Sequence, residues 1–128
     1  MSAHILIIDD NNDFREMLTY TCKAAGFSVS EETNGQEGLK HAQEQQPDIV
    51  LTDLMLPSLN GYEICTMLKQ DVRYQKIPVV ILSATRTEDK HVQLAKECGC
   101  DAYIPKSTDP KQILAQVQEI LNKLSQPK

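Results

Sequence analysis

The sequence predicts a doubly wound α/β fold, in which helices cover both faces of a parallel sheet. Short apolar runs rich in Ile, Val and Leu alternate with longer segments that carry apolar residues at helical spacing. Several of the short runs are apolar throughout, which is typical of strands buried on both faces. The chain has 128 residues, a length that suits one domain with a single core.

The first strand is predicted at residues 5–8, an unbroken apolar run that belongs inside the sheet. It leads into an acidic turn at residues 9–13. The helix that follows has apolar residues on one face at helical spacing. Asn11 or Asn12 can cap its start, and Gly26 can end it.

The second strand is predicted at residues 27–30, where apolar and polar side chains alternate. This pattern favours an edge strand with one face in water. Asn34 and Gly35 mark a turn. The second helix, about residues 36–45, is weakly amphipathic and is closed by Pro47.

The third strand is predicted at residues 49–53 and ends on Asp53, where the chain leaves the core. Its three leading apolar residues indicate a central position in the sheet. Asn60 can cap the third helix, which has apolar residues on its inner face. Residues 69–76 are polar and predict a loop.

The last two strands are predicted at residues 78–82, which are apolar throughout, and at residues 102–104. Between them lies a fourth helix, about residues 88–97, with the weakest apolar stripe of all the helices. Asp109 followed by Pro110 is typical of a helix start, and the last helix has a clear apolar stripe.

The strand order follows from hydrophobicity and handedness. The second strand is the least apolar and belongs at an edge, whereas the first, third and fourth belong inside. Right-handed crossovers then give a flavodoxin-like (βα)5 sandwich whose five-stranded parallel sheet has the order 2-1-3-4-5. The winding reverses between strands one and three, and ligands of open α/β sheets bind outside the carboxyl ends of the strands at such a reversal.

The composition narrows the class of protein. A net charge of −5 and a pI of about 5.1 argue against direct binding to nucleic acid or to an anionic membrane. No apolar stretch approaches the roughly 20 residues of a membrane span, and the N-terminus lacks a signal peptide, so we expect a cytoplasmic protein.

Residues 1–124 are expected to form one domain and 125–128 a tail or the start of a linker. Cys98 and Cys100 lack the second ligand pair of a metal site.

Polar side chains follow four of the predicted strands at their carboxyl ends. The first strand supplies Asp9 and Asp10, the third Asp53, the fourth Ser83 and the fifth Lys106, whereas the edge strand supplies nothing comparable. Each residue alone is more simply a helix cap, a turn residue or a surface lysine. Their shared position at one edge of the sheet favours a single functional site.

The chemistry of these side chains suits phosphoryl transfer. Three carboxylates in one crevice repel each other, so either one of them is protonated or a cation lies between them. Hard oxygen ligands suit Mg²⁺. Lys106 and Ser83 can bind phosphate oxygens, and an Asp carboxylate is a competent nucleophile for forming an aspartyl-phosphate.

In these features the chain resembles the receiver domains of two-component response regulators, including the chemotaxis regulators, over nearly its whole length. The matching motifs are Asp9-Asp10, Asp53 in Asp-Leu-Met-Leu-Pro, Asn60-Gly61, Ser83-Ala84, and Lys106 after Tyr103-Ile104-Pro105. The resemblance implies a phosphorelay signalling module that accepts a phosphoryl group on Asp53. The donor would be a phosphohistidine of a sensor histidine kinase or of a histidine phosphotransfer protein, and a downstream effector or output domain would read the result. Such a module is not an enzyme, although it takes part in its own phosphorylation and autodephosphorylation.

The resemblance also implies a role for each matching residue at the metal. Mg²⁺ would be bound by Asp10, Asp53 and the backbone carbonyl of Met55, with Asp9 helping mainly through water. One departure concerns the loop after Lys106, because family members often have Pro directly after this Lys, with a cis bond before it. Here Ser107 follows, and a cis bond without proline would cost about 3–4 kcal/mol.

The remaining roles concern the phosphoryl group and the response to it. Lys106 would contact the phosphoryl group, Ser83 would reorient toward it, and Tyr103 would be the aromatic partner of that movement. Phosphorylation would thereby switch the face formed by the fourth helix, the fifth strand and the fifth helix.

Two other classes of protein share parts of this pattern. A phosphatase with an Asp nucleophile would use a second Asp two positions later as acid or base, but Met55 stands there. A flavin or nucleotide binder would need a loop rich in Gly, Ser or Thr after the first strand, but residues 9–13 are acidic. The phosphoacceptor interpretation therefore accounts for more of the site.

Overall fold

The computed structural model describes residues 3–84, 93 and 96–125, and they include a single five-stranded parallel sheet. The strand order is β2-β1-β3-β4-β5, so the predicted fold class and order are confirmed. The strands are β1 (His4–Ile8), β2 (Ser28–Glu32), β3 (Ile49–Asp53), β4 (Val79–Ser83) and β5 (Ala102–Pro105).

Three helices alternate with the first strands, and another closes the described chain. They are α1 (Asn12–Ala24), α2 (Gly35–Gln45), α3 (Gly61–Lys69) and a C-terminal helix (Pro110–Ser125). The predicted fourth helix falls largely outside the described residues, among which residues 93 and 96–98 are helical, and residues 126–128 of the predicted tail also lie outside them. No helix within the described ranges is both long and apolar enough to span a membrane.

Short polar side chains fix where the helices begin. The side chain of Asn11 accepts a hydrogen bond from the Phe14 N–H, and that of Asn34 accepts one from the Glu37 N–H. Asn60 and Glu63 form a reciprocal capping box at the start of α3. Caps of this kind satisfy N–H groups that have no partner within the helix.

The sheet separates two apolar clusters. Alternate side chains of β1 face opposite ways, so Leu6 and Ile8 pack toward α2 and α3, whereas Ile5 and Ile7 pack toward α1 and the C-terminal helix. All residues of β3 and β4 are buried, as expected for central strands. The edge strand β2 is largely accessible.

The bounds of β1, β4 and β5 differ from the sequence prediction by one residue, and two other segments differ more. The second strand covers Ser28–Glu32 rather than 27–30, because its backbone pairs in parallel with β1 from Ser28 to Glu32. This backbone ladder continues beyond the apolar alternation that marked the strand in the sequence. The predicted polar loop at 69–76 contains Tyr74, which is only 8% exposed and packs into the cluster with α2 and α3.

The two edges of the sheet have different characters. The carboxyl edge has the acidic turn after β1 and the loop after β3. The opposite edge carries a groove whose lining includes Ala3, Pro47, Pro78 and Leu124. The polar residues singled out in the sequence therefore concentrate at one end of the molecule.

Candidate functional site

The acidic turn after β1 places two carboxylates in contrasting environments. Asp9 is fully buried, its N–H donates to the Glu32 carbonyl at 3.0 Å, and its Oδ1 accepts from the Asn11 N–H at 2.9 Å. Asp10 is exposed. One carboxylate oxygen from each of Asp9, Asp10 and Asp53 can be chosen so that all three atoms lie within 4.8 Å of one another.

Asp53 lies at the end of the central strand β3 and is 6% exposed. Burial raises the pKa of the Asp53 carboxyl above its ordinary value, and the neighbouring Asp9 carboxylate raises it further. The Lys106 ammonium and the Met55 N–H lower this pKa in part, because both bind the charged form. Asp53 is therefore a carboxylate whose charge needs a compensating cation.

Lys106 supplies such a charge from the loop after β5. Its Nζ lies 2.7 Å from Oδ2 of Asp9 and 3.3 Å from Oδ2 of Asp53, so it forms ion pairs with both carboxylates. The same ammonium lies over the ring of Phe14 on α1, 4.7 Å from the centroid. The backbone N–H of Lys106 donates to the Ser83 carbonyl at 2.8 Å, which ties the loop to the end of β4.

Ser83 and Tyr103 lie on neighbouring strands. Ser83 is buried at the end of β4, where its register partner is Pro105. Tyr103 packs on the α3 side of the sheet next to Tyr62, and its hydroxyl is buried. Burial, and secondly the Tyr103 phenol, raise the pKa of Tyr62 to about 12.

The loop after β3 is pressed against the starts of two helices. A Cβ on Gly61 would lie 2.7 Å from the Asp53 carbonyl oxygen, and one on Gly35 would lie 1.9 Å from that of Leu59. The Gly35 N–H donates to the Pro57 carbonyl at 3.1 Å, and the Gln36 N–H donates to the Ser58 hydroxyl at 3.0 Å. These contacts fix the backbone on both sides of Met55, whose side chain is 70% exposed.

The sequence and the fold of this chain match those of a known family of proteins. Residues 5–118 match the model of the response regulator receiver domain. The chain belongs to the response regulator receiver domain family. The chain is 37% identical over 123 residues to the curated DNA-binding response regulator MtrA of Mycobacterium tuberculosis. The aligned residues cover 96% of this chain and 52% of that protein.

Further relatives extend the comparison in sequence and in structure. The alkaline phosphatase synthesis transcriptional regulatory protein PhoP of Bacillus subtilis is 35% identical over 125 residues, which is 96% of this chain and 50% of that protein. The signal receiver domain of a Syntrophus aciditrophicus signal transduction histidine kinase superimposes with a TM-score of 0.91 at 25% identity, covering 99% of this chain and 96% of that one. This chain therefore spans about half the length of the curated relatives it matches.

The residues of the receiver domain's acidic edge fit a divalent metal. Three carboxylates with oxygens in mutual reach form a hard, anionic ligand set of the kind that Mg²⁺ prefers. The exposed Asp10 is open to solvent, whereas the buried Asp9 already contacts Lys106. The sequence does not decide whether the peptide bond between Lys106 and Ser107 is cis or trans. No peptide bond among the described residues is cis, so this bond is trans.

Two residues of this receiver domain site were overlooked in the sequence. Helical spacing places Phe14 on the apolar face of the first helix, yet its ring also contacts the Lys106 ammonium. Arg15 received no role, yet it donates a hydrogen bond to the Asp9 carbonyl at 2.9 Å. The only sequence signal was their position in the first turns of a helix that begins at the acidic edge.

Proposed function

We propose that Asp53 is the phosphoacceptor of this receiver domain. An Asp53 carboxylate oxygen forms a bond to phosphorus, while the P–N bond of a donor phosphohistidine breaks and the imidazole leaves with the electron pair. The observation that carries the proposal is the position of Asp53, at the end of the central strand with the Lys106 ammonium 3.3 Å from its Oδ2. Transfer of this kind depends mainly on positioning and on neutralisation of charge.

Mg²⁺ is the proposed cofactor. Asp10, Asp53 and the backbone carbonyl of Met55 would hold it, with Asp9 contributing mainly through water. When bound, the ion would neutralise charge on the phosphoryl oxygens. The proposal is supported by the mutual reach of the three carboxylates and by the contacts that fix the loop around Met55.

Lys106 and Ser83 are the proposed phosphoryl contacts. Lys106 already lies between Asp9 and Asp53, so its ammonium needs little movement to reach a phosphoryl oxygen on Asp53. Ser83 has a hydroxyl donor at the end of the adjacent strand. Its carbonyl accepts the Lys106 N–H, so a change at Ser83 is transmitted to the loop of the lysine.

Tyr103 is proposed to respond to the movement of Ser83. Its hydroxyl is buried in the structure described, so we propose a repacking of its ring beside Tyr62 rather than a rotation inward from solvent. The affected surface would include β5, the C-terminal helix and the segment before β5. That surface is the proposed site at which a partner or output domain reads the phosphorylation.

The proposed partners are a sensor histidine kinase or histidine phosphotransfer protein upstream, and an effector or output domain downstream. MtrA is named as DNA-binding, but we propose no direct contact of residues 1–124 with nucleic acid, which the net charge of −5 disfavours. We further propose a cytoplasmic signalling role. The only reactions that the domain would catalyse are its own phosphorylation and the attack of water on the acyl phosphate, which releases inorganic phosphate.

Incubation with acetyl phosphate followed by intact-mass spectrometry tests the phosphoacceptor. In this reaction acetate leaves from phosphorus in place of imidazole. We expect one added phosphoryl group with Mg²⁺, none with EDTA, and none in Asp53→Asn. Labelling that persists in Asp53→Asn would mean that another residue accepts the phosphoryl group, and Asp9 and Asp10 would be the next candidates.

A further inference from the structure

Arg15 makes three hydrogen bonds from the first turns of α1. Its Nη1 donates to the Asp9 carbonyl at 2.9 Å, its Nε to Glu31 Oε1 at 3.0 Å, and its Nη2 to Asn12 Oδ1 at 2.8 Å. Only 12% of the side chain is exposed. The guanidinium therefore links α1, the edge strand β2 and the acidic turn in one fixed arrangement.

The Asp9 carbonyl belongs to the peptide that joins Asp9 to Asp10. The other polar groups of Asp9 are also bound, since its N–H donates to Glu32 and its Oδ1 accepts from Asn11. Asp10 differs, because within the described ranges its side chain has no hydrogen-bond or ion-pair partner. The region that its carboxylate can reach is therefore set by the backbone, and Arg15 holds the peptide immediately before it.

We propose that Arg15 is a positioning residue for the metal site. By holding the Asp9–Asp10 peptide, it keeps the Asp10 carboxylate within reach of Asp53. This inference rests on the proposed function, since it assumes that Mg²⁺ binds between these carboxylates. A planar guanidinium satisfies three acceptors at fixed angles, whereas a lysine ammonium is a single point charge and does not reproduce this fork.

The sign of the effect on Mg²⁺ separates positioning from charge. Arg15 is itself a cation near a site for a dication, so its charge alone repels the metal. If Arg15 acted only through charge, Arg15→Gln would bind Mg²⁺ more tightly than the wild type. If it positions Asp10, both Arg15→Gln and the charge-conserving Arg15→Lys bind Mg²⁺ more weakly.

Thermal melts at increasing Mg²⁺ concentration, fitted to a stabilisation of RT ln(1 + [L]/Kd), give the Kd of each variant, which is its half-saturating concentration. Loss of a residue that orients a metal ligand typically weakens binding about 10- to 100-fold, and we expect a rise in this range for Arg15→Gln and Arg15→Lys. Arg73→Gln is the matched control, because it removes an arginine–carboxylate pair with Asp71 near the opposite edge of the sheet. Its half-saturating concentration should equal that of the wild type.

A second measurement excludes a merely structural role. The rate of phosphorylation by acetyl phosphate should fall in Arg15→Lys at limiting Mg²⁺ and return to the wild-type value at saturating Mg²⁺. A variant that was only less stable would melt earlier with an unchanged half-saturating concentration. If Arg15→Gln does not fold, Arg15→Lys carries the test together with Glu31→Gln, which should raise the half-saturating concentration less.

The outcomes distinguish this inference from the proposed function. A wild type that responds to Mg²⁺ alongside an Arg15→Lys variant with unchanged half-saturation would overturn the positioning role alone. Tighter binding in Arg15→Gln would also overturn it, in favour of a charge effect. A wild type whose melting does not respond to Mg²⁺ would overturn both this inference and the proposed metal site.

Discussion

The ammonium of Lys106 and the ring of Phe14 are in cation–π contact, 4.7 Å apart. The same ammonium bridges Asp9 and Asp53, so Phe14 forms a third side of its pocket. A cation–π contact contributes about 0.5–1 kcal/mol when exposed and about 2 kcal/mol when desolvated. Lys106 is therefore held by an aromatic surface as well as by opposite charge.

We expect the unfolding free energies of Phe14→Leu and Lys106→Met to be non-additive. A double-mutant cycle in urea should give a coupling of about 0.5–2 kcal/mol, the range of a cation–π contact. Phe27→Leu is the control, because Phe27 packs against the same apolar cluster, and its cycle with Lys106→Met should show coupling near zero. Equal coupling for both phenylalanines would mean that the Phe14 contact is ordinary packing.

Mg²⁺ should stabilise the folded protein, because it relieves repulsion among the three carboxylates. A ligand that binds only the folded state at ~100-fold excess over its Kd adds about 2.7 kcal/mol. Thermal melts with and without Mg²⁺ should show the gain, and Asp10→Asn should lose most of it. An Asp10→Asn variant with the full response would remove Asp10 from the proposed ligand set.

The pH dependence of stability in the metal-free protein should report on Asp53. Its pKa is raised in the folded state by burial and by Asp9, so the folded state binds more protons than the unfolded state just above the ordinary carboxyl pKa. The contribution of Asp53 is therefore most favourable below the unfolded pKa and is lost as the pH rises through the folded pKa. We expect Asp53→Asn to stabilise the protein relative to wild type at neutral pH, with the difference shrinking in acid.

Urea unfolding in EDTA at several pH values measures this difference. The sign is the decisive feature, because an Asp53 whose charge was favourably paired would make Asp53→Asn destabilising at neutral pH. Asp71→Asn is the contrasting control. Hydrogen bonds from Arg73 lower the pKa of the Asp71 carboxyl, so the pH dependence of its contribution should run in the opposite direction.

Beryllofluoride, a mimic of the phosphoryl group, should produce amide shifts that spread beyond the acidic edge. We expect them to extend in an NMR spectrum from the loop after Asp53 to residues 84–106, because Ser83 and Lys106 are joined through their backbones. Ser83→Ala should shorten this spread, whereas Ser28→Ala on the exposed edge strand should not. Shifts confined to the acidic edge in the wild type would contradict the proposed coupling.

The strand order could be predicted because strands buried on both faces are made almost entirely of apolar residues. The apolar runs that became β1, β3 and β4 identified the inner strands, and handedness left one order for the rest. The carboxyl ends of parallel strands share an edge, so the meeting of Asp9, Asp53 and Lys106 followed from the same argument. The functional roles of these residues remain predictions.

The rest could not be predicted because it depends on partners distant in sequence. The contact of Arg15 with Glu31 joins a helix to an edge strand, and no local periodicity encodes it. Tyr74 is a single aromatic in a polar segment, and its burial depends on packing into the apolar cluster that α2 and α3 form with the sheet. Likewise, the second role of Phe14 exists only because Lys106 approaches it from another loop.

The groove at the opposite edge of the sheet brings Ala3 and Leu124 to one pole of the molecule. A peptide tag or fluorescent reporter joined near either of these residues would emerge away from the phosphorylation chemistry. Fusing this domain to another protein near Ala3 or Leu124 should therefore leave the acidic pocket unobstructed.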